Sequence, residues 1–122
     1  MKALNFILLY VENPATSVEF YSVLLGRKAI ESSANFAMFA LDNGIMLGLW
    51  RRGDVSPEAT APAGAAELAF TLDGKETVDA LCAEWRKLDV PIAQAPTAMD
   101  FGYTFVALDP DGHRLRAFAR AD

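Results

Sequence analysis

Few side chains in this chain are reactive, and their spacing limits what they can do. His113 is the only histidine and follows the turn Asp109-Pro110-Asp111-Gly112. A general base needs an orienting partner and a substrate proton within reach. A single histidine beside a turn, at a strand start, reads instead as a surface residue. Cys82 is the only cysteine. It falls on the apolar stripe of a predicted helix with no basic neighbour to lower its pKa, so it reads as an inert core thiol. It cannot form an internal disulfide, which suits a reducing cytoplasm. No Ser-His-Asp arrangement, phosphate-binding glycine loop or dinucleotide fingerprint is present.

Aromatic and thioether surface is better represented. Trp50 closes a predicted strand beside a linker, where a strand leaves a sheet for solvent, and can act as a platform for a flat ring. The competing reading is a core tryptophan. Trp85 shares a helix stripe with Leu81 and Leu88 and reads as core. Phe36, Met38 and Phe39 lie on one short apolar strand, whose alternation sends some inward and some outward. The sequence does not decide which parity faces a cavity; Phe39 stands as the candidate wall. Met46 and Met99 offer adaptable surface where shape must vary. Phe101 and Tyr103 flank Gly102 in a loop-to-strand segment that could close over a ligand.

The elements that carry these residues are announced twice. Residues 3–11 form a short apolar run that ends in a turn signal and predict a strand. Asn13-Pro14 supplies an N-cap and a proline at the first helical position. Val18, Tyr21, Leu24 and Leu25 follow at helical spacing, and Gly26 stops the helix. Strands are predicted near 27–32, 35–41 and 45–51, the last two joined through Asp42-Asn43-Gly44. Residues 52–64, rich in Pro, Ala and Gly, read as a linker. The pattern then restarts with a strand at 65–72 and a helix capped by Asp73 with Glu76. Val78, Leu81, Cys82, Trp85 and Leu88 form that helix's stripe, and Pro91 bars its continuation. Strands near 91–96, 102–108 and 113–119 complete the second copy.

Each copy is β-α-β-β-β, so the expected class is α+β: two tandem modules, about 1–52 and 65–122, joined near 53–64 in a single domain of 122 residues. Each module has a helix on one sheet face and a bare face on the other. Laid side by side, two such modules are expected to form a curved, mixed, eight-stranded sheet around a cavity, and a bare apolar face invites a ligand or partner.

Composition excludes several classes of function. Hydrophobic residues are 52% and charged residues 22%, which marks a globular chain. The net charge is −5, and basic residues adjoin only as Arg27-Lys28, Arg51-Arg52 and Arg86-Lys87, so no stripe tracks phosphates and no nucleic acid partner is expected. The apolar run Phe6 to Val11 is too short for a signal sequence and no segment approaches a membrane span. A cytoplasmic protein without a membrane partner is expected.

Two stretches, YVENPATSVEFYSVLLG (10–26) and FGYTFVALDPDGHRLRAF (101–118), resemble the vicinal oxygen chelate superfamily. That superfamily includes glyoxalase I, ring-cleaving dioxygenases, fosfomycin-modifying enzymes and bleomycin-binding resistance proteins. Its FY-x-x-x-LG and DPDG signals mark the superfamily and not one activity. FAMFALDNGIMLGLW (36–50), VDALCAEW (78–85) and DPDGHRLR (109–116) are most similar to the small resistance proteins that sequester phenazine antibiotics. The resemblance implies a glyoxalase/bleomycin resistance fold and a homodimer whose pockets lie between modules of two chains.

The enzymes of that superfamily hold a divalent metal with His, Gln or Glu side chains from four strands. Transferring those positions by spacing gives Phe6, Leu47, Glu67 and Arg116. Phenylalanine and leucine have no donor atom, and a guanidinium repels a cation. One carboxylate does not satisfy a metal that wants three or four ligands. A shift by one residue, to Asn5, Met46, Leu68 and Leu115, is no better. The resemblance therefore implies no metal, no cofactor and no catalytic residue. Glu67 and Arg116 would form a bidentate pair on the cavity floor, either as a purely structural ion pair or as a contact for a polar ligand edge. The function expected is a non-catalytic antibiotic-binding protein that sequesters a planar aromatic molecule, phenazine-like or bleomycin-like. Its expected ligand contacts are Trp50, Phe39, Met46, Phe101, Tyr103, Glu67 and Arg116. The alternative is a metal-dependent glyoxalase- or dioxygenase-type enzyme.

Overall fold

The computed structural model describes residues 2–121, which divide into two compact units, 2–61 and 62–121. The first contains β1 (Phe6–Val11), α1 (Pro14–Leu25), β2 (Glu31–Ser32), β3 (Phe36–Ala40) and β4 (Met46–Arg51). The second contains β5 (Glu67–Leu72), α2 (Lys75–Lys87), β6 (Ile92–Met99), β7 (Gly102–Leu108) and β8 (Arg114–Arg120). The two repeat one topology. The sheets are ordered β1-β4-β3-β2 and β5-β8-β7-β6, with the first strand of each parallel to its last and the remaining pairs antiparallel. The strands thus hydrogen-bond as two four-stranded mixed sheets, where the sequence suggested one sheet of eight. Among the described residues, no helix is long and apolar enough to cross a membrane.

Local chemistry sets the element ends. The Asn13 side chain accepts a hydrogen bond from the Ala15 amide at 3.0 Å, and Gly26 ends α1 in the left-handed region. Asn43 and Gly44 both have positive φ, 64° and 75°, which lets the chain reverse tightly between β3 and β4. The second helix departs from expectation. It begins at Lys75 with Gly74 as its cap and no side-chain capping bond, so Asp73 is not the N-cap. The Asp109 carboxylate organises the turn before β8, accepting hydrogen bonds from the Asp111 and His113 amides, both at 2.9 Å.

Each helix covers one face of its own sheet. In the first unit Val11, Ala37, Phe39, Leu47 and Leu49 are buried with Pro14, Ser17 and Tyr21 of α1. Of the stripe expected on α1, only Tyr21 is fully buried, because the helix is rotated toward Ser17. In the second unit Val78, Cys82 and Trp85 of α2 are buried with Phe105, Leu115 and Ala117. Leu88, at the helix end, is exposed instead of completing the stripe. Trp85 meets Phe70 and Phe105 edge-on at 5.7 and 5.3 Å, an arrangement that favours aromatic pairs beyond their buried area.

Gly102, at φ 150°, brings β7 against β8 so closely that a Cβ there would lie 2.0 Å from the Ala119 carbonyl oxygen. Because the obstacle is backbone, relief requires moving a strand. Gly102→Ala is expected to lower stability by roughly 2 kcal/mol or more in urea unfolding. Gly53→Ala, with open space at its Cβ, should stay within about 0.5 kcal/mol of the parent.

Candidate functional site

Strand pairing assigns the candidate residues to faces, except Phe101, which lies in the turn between β6 and β7. In the first unit Phe6 faces Met46, Leu8 faces Gly48 and Tyr10 faces Trp50, while Phe36, Met38 and Ala40 pair with Trp50, Gly48 and Met46. These residues share the face turned away from α1, since alternate residues project to opposite sides. Phe6, Leu8, Phe36 and Trp50 line an open trough of about 440 Å³ there. Its floor is Gly48: a Cβ at that position would meet the tips of Leu8, Phe6 and Phe36 at 2.7, 2.9 and 3.1 Å. Phe6 and Leu8 remain 43% and 46% exposed, unusual for such large apolar side chains on a strand. Trp50 is half-buried and held edge-on to Tyr10 at 6.3 Å.

The same parity corrects two candidates, Phe39 of the apolar strand and Leu47 of the metal positions transferred by spacing. Phe39 pairs with Leu47 and is fully buried on the α1 face, so it is a core residue and not a wall of the trough. Leu47 is likewise buried under α1, and Met46 and Gly48 carry the open face of β4. Met46 lies on the open face, opposite Phe6 at its edge. Phe6 and Leu8 emerge as principal trough residues. Leu8 escaped the sequence reading because a continuous apolar run, ALNFILLYV, does not reveal which of its residues lack a covering helix.

In the second unit the open face is polar at its centre. Arg116 donates from Nε and Nη2 to the two oxygens of Glu67, at 2.7 and 3.0 Å, in a fork-to-fork pair. Its Nη1 donates to Thr104 Oγ1 at 3.1 Å and to Gln94 Oε1 at 3.4 Å. The Thr104 hydroxyl donates in turn to the Ala117 carbonyl at 2.9 Å. Arg114 brings Nε to 3.1 Å from Glu67 Oε2, without the alignment of a hydrogen bond. The Arg116 hydrogen bond, the largest influence, and the charges of both arginines hold the Glu67 carboxyl below its usual range against a smaller upward push from burial. Phe101 joins this face, with its ring 5.6 Å from the Arg116 guanidinium and edge-on to Phe118 at 5.8 Å. Met99, close to Gln94 through its sulfur, is also exposed. Gln94 and Thr104 were not singled out by sequence; a buried threonine in the apolar strand GYTFVAL was the available signal, since such a hydroxyl needs partners.

Tyr103 belongs elsewhere. It pairs with Ala119 on the α2 side of the sheet, where its hydroxyl donates to Asp79 at 2.7 Å and Lys75 lies 5.7 Å from its ring centroid. The Asp79 carboxylate holds its phenol above the usual pKa. These ties to α2 make Tyr103 a strut between helix and sheet, on the opposite side of the sheet from Arg116, where it lines a separate pocket with Lys75, Met99 and Gly102. Cys82 is buried, and burial pushes its thiol up; Arg86, a basic neighbour after all, pulls the other way and loses. His113 contributes its backbone to the turn around Asp109.

The strand positions at which the superfamily's enzymes hold a metal do not fit one here. Phe6 offers only carbon, the open face of β4 offers Met46 and Gly48, Glu67 is engaged by two guanidinium groups, and Arg116 is itself cationic. Among the described residues, no three His, Cys, Asp or Glu side chains converge.

The Glu67 pairing has a pH signature. A carboxylate whose folded pKa is depressed adds stability above its unfolded pKa and loses it as pH falls through the folded value. The stability difference between the parent and Glu67→Gln is therefore expected to be constant above about pH 5 and to shrink toward acid. Urea unfolding across that range checks it, and a difference independent of pH would show that the pair is not formed in solution.

The glyoxalase/bleomycin resistance protein/dioxygenase superfamily model matches residues 3–117. Phenazine antibiotic resistance protein EhpR of Enterobacter agglomerans is 30% identical over 115 residues, covering 92% of this chain and 88% of that protein. The solution NMR structure of protein ATC0852 from Agrobacterium tumefaciens has a TM-score of 0.88 and 45% identity, with 100% of both chains covered. A glyoxalase-related enzyme from Fulvimarina pelagi, 18% identical, shares the fold with a TM-score of 0.84 over 98% of this chain and 89% of its own. With the repeated topology and the matched length, the chain belongs to the glyoxalase/bleomycin resistance protein/dioxygenase superfamily.

Proposed function

We propose that this protein is a non-catalytic antibiotic-binding resistance protein that sequesters a planar aromatic molecule. The observation that carries the reading is the trough on the first unit: Phe6, Leu8, Phe36 and Trp50 above a floor that lacks a side chain. A surface of this kind offers a flat ring area, dispersion and stacking, with no ionisable or nucleophilic side chain to activate it. The likeness to a phenazine antibiotic resistance protein supports the same reading. A phenazine-like ring suits the trough better than a cationic glycopeptide of the bleomycin type, because no carboxylate lines it. The open trough covers only one side of a ring, so a second copy of the chain is proposed to supply the other, making the working form a cytoplasmic homodimer. Protection follows from lowering the free concentration of the drug, which requires protein in stoichiometric amount.

Titration with phenazine is expected to saturate, and mass spectrometry of the recovered molecule to show it unchanged. Turnover would overturn the reading. Trp50→Ala should weaken binding by roughly 1–3 kcal/mol, the scale of aromatic stacking on a flat heterocycle; unchanged affinity would remove Trp50 from the site.

A further inference from the structure

The open face of the second unit holds more positive charge than it neutralises. Glu67 is the only carboxylate in ion-pair contact with either Arg114 or Arg116 among the described residues. Two guanidinium groups thus share one carboxylate in a chain whose net charge is −5. They are not equivalent. Arg116 is committed: it donates four hydrogen bonds, to Glu67 twice, Thr104 and Gln94, and its side chain is only 17% exposed. Arg114 has its Nε beside Glu67, but its side chain is 41% exposed and its terminal nitrogens make no hydrogen bond among the described residues. A guanidinium steered by one end, with its fork left over, presents the two parallel donors that a planar anion accepts.

We infer that this face binds the carboxylate of an aromatic ligand, with Arg114 as its partner. Arg114 projects from β8 on the same side as Arg116 and Phe118, because residues two apart on a strand share a face. Phe101 lies on that side against Arg116 and Phe118, and is 44% exposed. An aromatic body whose carboxylate reaches Arg114 therefore meets aromatic surface along the same strand. Glu67 serves as a positioning residue: it holds both guanidinium groups in place, and its single charge leaves one of them uncompensated. A carboxylate fits better than a cation here, which would be repelled by two arginines, and better than a neutral ring edge, which would leave the fork of Arg114 to water. The inference rests on the reading of the chain as a binder of small aromatic molecules and adds a place on the second unit for the carboxylate of such a molecule.

The test compares phenazine-1-carboxylate with its uncharged isostere phenazine-1-carboxamide by isothermal titration calorimetry at neutral pH, on the parent and on Arg114→Gln. The parent should bind the carboxylate roughly tenfold or more tighter than the amide, the scale of a charge-assisted hydrogen bond. That preference should shrink with added salt and fall to near unity in Arg114→Gln. The ratio is the readout, so a general loss from a disturbed fold cancels out, and the salt dependence is measured on the parent alone. Equal affinities in the parent would overturn this inference and leave the sequestration reading standing. A preference that survives in Arg114→Gln would overturn the assignment to Arg114. Binding of neither compound would overturn both readings together.

Discussion

Parallel pairing of the first and last strand of each unit governs everything else. Two parallel neighbours cannot be joined by a tight turn, so the chain must cross over, and α1 and α2 make the start of that crossing. A crossing helix lies on one side of its sheet and covers it. The opposite side is left without a helix of its own, and the period of two along each strand then dictates which residues stand on it. Phe6, Leu8, Gly48 and Trp50 are on the open face of one sheet for the same reason that Glu67, Arg116 and Phe118 are on the open face of the other.

The repeat makes the divergence of the two faces readable. Phe6 faces Met46 in the first unit where Glu67 faces Arg114 in the second. One step further along, Leu8 opposes Gly48 where Ala69 opposes Arg116. One copy carries apolar side chains or none at these positions and the other carries a charge network. Within that network the Glu67 oxygens take the Arg116 fork and Thr104 passes a hydrogen bond on to the Ala117 carbonyl, while Arg114 keeps only an unaligned contact with Glu67.

The sequence exposed what depends on near neighbours. Asn13-Pro14 marks the start of α1, Asn43-Gly44 marks a reversal, and the apolar runs mark the strands, since capping, backbone freedom and hydrophobic period are local properties. The parity of β3 was not local. Phe36, Met38 and Phe39 are all apolar, and only pairing with β4 separates Met38, opposite Gly48, from Phe39, opposite Leu47. Tyr103 was obscured for a similar reason, because its partner Asp79 is on a helix 24 residues away. The start of α2 went astray because Asp73 and Glu76 have capping spacing, while the backbone extends through Gly74 before it coils. The Glu67–Arg116 pair, 49 residues apart, could be reached only through the likeness to a known family.

The two tight glycines differ in what stands against them, and the difference bears on how the protein can change over generations. At Gly102 the obstacle is a carbonyl of the neighbouring strand, which has nowhere to go. At Gly48 the obstacles are the far ends of Leu8, Phe6 and Phe36, which can swing aside. Position 48 is therefore a place where the contour of the trough can be redrawn while the sheet beneath keeps its pairing. Change at that position has a freedom that the backbone around Gly102 denies.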